Sequence, residues 1–153
     1  AALDRLEQAA PALLELGQML GGLPARANDL GANDLGALGD EKLRQDASLM
    51  VAVYPERAAE YRMHKDSYAP KEWDAATGAT RRLTVLAYFN DWKEGNGGEL
   101  NIHEAVDDKP SARKFLPVKP TAGSVLLFDS RRVWHAVAPS LKGDRWAATL
   151  WVH

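Results

Sequence analysis

The sequence predicts a mainly β fold, with its strands in a closed or two-sheet arrangement and an N-terminal helical segment packed outside. Two observations carry this. From position 49 onward, short runs rich in Val, Leu, Tyr, Phe and Trp recur at strand length, each cut off by Pro, Gly or Asn. Ahead of them, the first twenty residues space their leucines as a helix does. A length of 153 residues suits one domain whose core needs no covalent staples.

In chain order, residues 1–20 place Leu3, Leu6, Ala10, Leu13 and Leu20 on one stripe, with Asp4, Glu7 and Gln8 off it. Pro11 kinks this helix or starts a second one, and Gly21-Gly22 with Pro24 ends it. The repeat Asn28-Asp29-Leu30-Gly31-Ala32, Asn33-Asp34-Leu35-Gly36-Ala37 has the composition of a solvated loop, or of a mobile cover over a site. Strands are expected near 49–54, 61–65, 83–89, 100–103, 115–118, 124–128, 133–138 and 147–152. Their breakers are Pro55, Pro70, Gly95-Asn96-Gly97-Gly98, Pro110, Pro120 with Gly123, and the stretch from Pro139 to Gly143. Residues 67–81 read as a surface insertion. Segment 1–48 would thus support a core at 49–153.

Nineteen Lys and Arg against 21 Asp and Glu give no global pull toward nucleic acid or an anionic membrane. Zero cysteines exclude disulfides, thiolate zinc sites and iron–sulfur clusters, so any metal must be held by His and carboxylate. No apolar run approaches a membrane span and no signal-peptide pattern is visible, although the sequence begins at Ala1. The expectation is a cytoplasmic monomer without nucleic-acid or membrane partners.

The chemistry concentrates in four residues. His64 and Asp66 stand two apart, the strand period, so their side chains leave one face together. His135 supplies a second imidazole, and two His with one carboxylate form the facial set that holds non-haem Fe(II) and leaves three positions open. Arg145, ten residues later, is a permanent cation that forks onto a carboxylate, unless it merely pairs with Asp144. Together they point to an Fe(II) and 2-oxoglutarate site. His103 and Glu104 are adjacent and face opposite ways, which suits surface or core positions better than ligation. Arg81-Arg82 and Arg131-Arg132 read as solvated or salt-bridged, with one member a candidate for a substrate entrance.

Between and around these residues run further matching segments. Tyr54-Pro55 precedes His64 by ten, Tyr88-Phe89-Asn90 is followed by Trp92, and Gly97-Gly98-Glu99-Leu100 opens a strand. Asp129-Ser130-Arg131-Arg132-Val133-Trp134-His135-Ala136-Val137-Ala138-Pro139-Ser140 and Arg145-Trp146-Ala147-Ala148-Thr149-Leu150-Trp151 complete the set. From Met50 to His153 the chain resembles the prolyl 4-hydroxylase branch of the 2-oxoglutarate/Fe(II) oxygenases, and most of all the hypoxia-inducible-factor prolyl hydroxylases.

The resemblance implies a double-stranded β-helix (jelly roll). It makes His64, Asp66 and His135 the iron ligands and Arg145 the clamp on the distal carboxylate of 2-oxoglutarate. Tyr88 would share that carboxylate, Tyr54 would line its pocket, and Thr149 and Trp151 would sit near the metal. It further implies O2 as cosubstrate, ascorbate as a reductant, and hydroxylation of a prolyl residue in a protein or peptide, with decarboxylation of 2-oxoglutarate to succinate. Asp66 keeps the carboxylate that halogenating relatives give up. The insertion after Asp66 is longer than in the hypoxia-factor enzymes, and the His135-to-Arg145 offset of ten is one more than theirs. That offset is closer to collagen-type enzymes, which use Lys there. The resemblance therefore reaches the family and stops short of a substrate subgroup. The competing readings are a hydroxylase of free amino acids or other small molecules, a nucleic-acid demethylase, and a non-catalytic jelly-roll binding module.

Overall fold

The computed structural model describes residues 45–57, 59–67 and 81–153, with the single positions Glu15, Gln18 and Gly22. Apart from Glu15 and Gln18, the expected helix over 1–20 lies outside the described residues, as do the repeat at 28–40 and most of the 67–81 insertion.

Eight strands are formed: β1 Gln45–Tyr54, β2 Ala59–His64, β3 Leu83–Tyr88, β4 Leu100–Val106, β5 Lys109–Val118, β6 Val125–Asp129, β7 Trp134–Ser140 and β8 Arg145–Val152. They make two four-stranded sheets, ordered β1-β8-β3-β6 and β2-β7-β4-β5. Every pairing is antiparallel. This is the two-sheet arrangement the strand texture implied, consistent with the jelly roll the resemblance implied.

Alternation along each strand decides what the sheets bury between them. From the first sheet Leu86, Tyr88 and Ala147 join Tyr54, Leu126 and Phe128; from the second, Leu100 and Val137 join Ile102 and Val118. Central strands β3 and β8 are buried along nearly their whole length, which explains their almost unbroken apolar runs. The same period sends Arg145, Ala147, Thr149 and Trp151 of β8 into the cavity between the sheets, beside Met50, Ala52 and Tyr54 of β1.

One expectation needs correction. Pro110 does not break the chain: β4 and β5 are longer than the sequence suggested and form a hairpin across Asp107 and Asp108. Both aspartates take left-handed backbone, φ 50° and 59°, which suits a two-residue hairpin turn. Pro110 and Pro117 are tolerated because β5 is an edge strand.

Candidate metal centre

The pairing of β2 with β7 sets His64 directly opposite His135, with ring centroids 4.3 Å apart. Asp66 lies just past the end of β2. Its Oδ1 is 3.4 Å from His64 Nε2 and its Oδ2 is 3.8 Å from His135 Nε2. All three potential ligand atoms fall within 4.8 Å of one another; among the described residues no other trio of His and carboxylate does so.

Each imidazole is aimed by its own backbone. His64 Nδ1 lies 2.8 Å from the Arg62 carbonyl and His135 Nδ1 lies 3.1 Å from the Val133 carbonyl. A carbonyl only accepts, so Nδ1 carries the proton in both rings and the Nε2 lone pairs face the centre. Asp66 is oriented from the other side: Thr84 Oγ1 donates to its Oδ2 at 2.5 Å, and the Ser130 hydroxyl is 2.8 Å from Thr84 Oγ1.

The charges follow from these contacts. Burial alone would raise the Asp66 carboxyl, yet the contact with His64, the hydrogen bond from Thr84 and the field of His135 hold it at about 2. Burial opposes the charged form of His64, but its bonds to Asp66 and the Arg62 carbonyl outweigh that and raise its pKa. At His135 burial wins and the pKa is lowered.

Arg145 opens β8 opposite Tyr54 of β1 and is 5% exposed. Its guanidinium lies 4.8 Å from the Tyr54 ring centroid and 5.1 Å from that of Tyr88. Burial lowers its pKa, an effect the two tyrosines oppose; burial also raises both phenols. Asp144 is not its partner: that carboxylate accepts the Glu56 backbone N–H. Among the described residues no carboxylate pairs with Arg145. Tyr88 packs behind it in the core cluster rather than on the cavity wall, and its buried hydroxyl has no hydrogen-bond partner. A buried cation with no carboxylate among the described residues marks a place built for an anion.

The motif residues around Arg145 acquire roles here that the sequence could not give them. Asn90 donates to the Asp144 carbonyl and accepts from the Trp146 N–H, bracketing Arg145 on both sides. Trp92 Nε1 donates to the Gly97 carbonyl at 2.9 Å, and the Gly98 carbonyl accepts Arg145 Nε at 2.8 Å. Gly98 has φ +72°, and a Cβ there would lie 2.9 Å from Arg145 Cδ.

His64, Asp66, His135, Arg145, Tyr54, Thr149 and Trp151 all line one cavity of about 870 Å³. Arg81 also lines it, 3.7 Å over the Trp151 ring, so the candidate at the substrate entrance is this member of the arginine pairs. His103 takes no part: it stacks on Phe115 and its Nδ1 meets the Ser111 carbonyl. Thr84 and Ser130 went unassigned in the sequence. Thr84 alternates with Leu86 and Tyr88 toward the interior, and that polar residue on an inward face was the available signal.

Two neutral Nε2 atoms and one carboxylate, with no thiolate, form the donor set that suits divalent iron. The sequence pattern of the 2OG-Fe(II) oxygenase superfamily matches residues 49–153. The chain belongs to this superfamily. Such oxygenases use Fe(II) as cofactor with 2-oxoglutarate and O2 as cosubstrates, and the residues here fit them. Prolyl 4-hydroxylase 2 of Arabidopsis thaliana is 29% identical to this oxygenase over 123 residues, covering 69% of the chain and 40% of the relative. A Trichoplax adhaerens prolyl hydroxylase, solved with a hypoxia inducible factor oxygen degradation domain peptide fragment, superposes with a TM-score of 0.66 at 28% identity. That match covers 92% of this chain and 56% of the Trichoplax chain. A Pseudomonas putida prolyl-4-hydroxylase gives a TM-score of 0.57 at 27% identity, over 80% and 59%. The chain spans less than two thirds of the length of each of these relatives.

Proposed function

We propose that this oxygenase core hydroxylates a C–H bond of a prolyl residue in a protein or peptide, coupled to oxidative decarboxylation of 2-oxoglutarate to succinate. One observation carries the reading: a single cavity holds a three-donor cluster and, on its wall, a buried arginine with no carboxylate partner among the described residues.

His64, Asp66 and His135 would hold the iron on one face, leaving the opposite positions open. When bound, Fe(II) with 2-oxoglutarate and dioxygen supplies the oxidising chemistry that inserts oxygen into the substrate C–H bond. Asp66 is ionised at any pH well above 2, so it takes up metal without first losing a proton. Arg145 offers a fork of N–H donors to the far carboxylate of 2-oxoglutarate, and Tyr88 backs its guanidinium from behind the cavity wall. Tyr54, Thr149 and Trp151 wall the space through which the cosubstrate would reach from that cation to the metal. Retention of the Asp66 carboxylate favours hydroxylation over halogenation. The prolyl substrate is supported by the prolyl hydroxylases that match most of this chain, one of them solved with a peptide.

The test is succinate release with proline-containing peptides and with free proline, alongside Arg145→Ala. Peptide-dependent succinate and a peptide gaining one oxygen are expected. The variant should need about 100-fold more 2-oxoglutarate, the loss of a buried charge-assisted pair worth roughly 3 kcal/mol. Turnover with free proline alone would replace the peptide by an amino-acid substrate.

A further inference from the structure

The residues that alternate with the three ligand candidates converge on one carboxylate on the other side of their sheet. Lys65 stands between His64 and Asp66, and Trp134 immediately precedes His135. The Lys65 side chain is only 5% exposed, and its ammonium meets both Asp108 oxygens, at 2.8 and 2.6 Å. The Trp134 indole N–H donates to Asp108 Oδ1 at 2.9 Å, and the ammonium lies 5.1 Å from the Trp134 ring centroid. Asp108 comes from the tip of the β4–β5 hairpin, far in sequence from both segments.

We infer that Asp108 is a positioning residue for the metal centre: its carboxylate clasps Lys65 and Trp134 and thereby fixes the His64–Asp66 segment against His135. The inference rests on reading the trio as a metal site. A clasp is needed because the β ladder does not supply one. The β2–β7 register is irregular between Tyr61 and His64, and β2 ends at His64, so no strand pairing holds Lys65 or Asp66. Asp66 is a ligand candidate beyond the end of the strand, where the backbone is held by the Ser67 N–H on the Ser130 carbonyl at 3.0 Å and by Arg81, 3.4 Å from the Asp66 carbonyl. The buried Lys65 stem is the tether, since an ammonium drawn under the surface must keep its partner. Outer-shell groups of this kind commonly set metal affinity by about 10- to 100-fold. An ordinary surface ion pair would contribute to stability alone and leave the metal untouched.

The experiment is a Co(II) titration of the whole chain, followed by calorimetry and by the visible d–d bands, which report ligand geometry. Asp108→Ala and Asp108→Asn are compared with Asp108→Glu, and with Glu94→Ala as a control that removes the surface pair to Lys119. Expected is a loss of Co(II) affinity between about 10- and 100-fold and a changed d–d spectrum in the first two variants. Recovery is expected in Asp108→Glu, and no change in the control. If Asp108→Ala does not fold, Asp108→Asn decides, because it keeps an acceptor for Trp134 while discarding the charge for Lys65. Wild-type affinity and spectrum in the variants, whatever their thermal midpoints, would overturn the clasp and spare the metal site. No Co(II) uptake by the wild type would overturn both.

Discussion

Asp66 answers to three neighbours at once, and its chemistry is set by them rather than by its place in a motif. The contact with His64, the hydrogen bond from Thr84 and the field of His135 together outweigh the cost of burial. Removing the Thr84 hydroxyl in Thr84→Val should therefore raise the Asp66 pKa and weaken metal uptake by about tenfold, while Thr84→Ser retains both; metal titration across pH checks this. The same depressed pKa has a stability consequence. A carboxyl held at about 2 in the fold, below its ordinary value of 3.8, stabilises the metal-free protein above pH 4 and loses that contribution as pH falls through 2. The amount is on the order of 2 kcal/mol. Urea denaturation between pH 5 and pH 2 should show wild type losing this increment and Asp66→Asn lacking it throughout.

Among the elements, β8 organises the cosubstrate end and the Gly97–Gly98 turn makes room for it. A side chain at position 98 would meet Arg145 Cδ at 2.9 Å on a backbone of positive φ. Gly98→Ala should accordingly raise the 2-oxoglutarate concentration needed for turnover by more than about tenfold and leave metal affinity unchanged, a split that titrating each ligand separately would show. This element also shows where a sequence stops being legible. The strand positions could be read because alternation is local, and His64 with Asp66 could be placed on one face for the same reason. The work of Asn90 and Gly98 could not, since the groups they hold, Asp144, Trp146 and Arg145, lie far along the chain. The β4–β5 hairpin was hidden differently. Pro110 signals a break unless the strand is known to be an edge, and edges are a property of the assembled sheet.

At the scale of the whole molecule, the two four-stranded sheets share a core and line a cavity, and the residues of the site reach that cavity from both. His64 and His135 belong to the second sheet and Arg145 to the first, so the distance between metal and cation is fixed by how the sheets pack. A dicarboxylate that binds at both ends would bridge them. The most direct measurement is an anaerobic visible-absorption titration of the metal-free protein with Fe(II) and then 2-oxoglutarate, with His135→Ala and Arg145→Ala in parallel. The expected result is a charge-transfer band that requires both additions, disappears in His135→Ala, and in Arg145→Ala demands far more 2-oxoglutarate. A folded wild type that develops no band would contradict the account, leaving a jelly roll whose histidines and aspartate meet without binding iron.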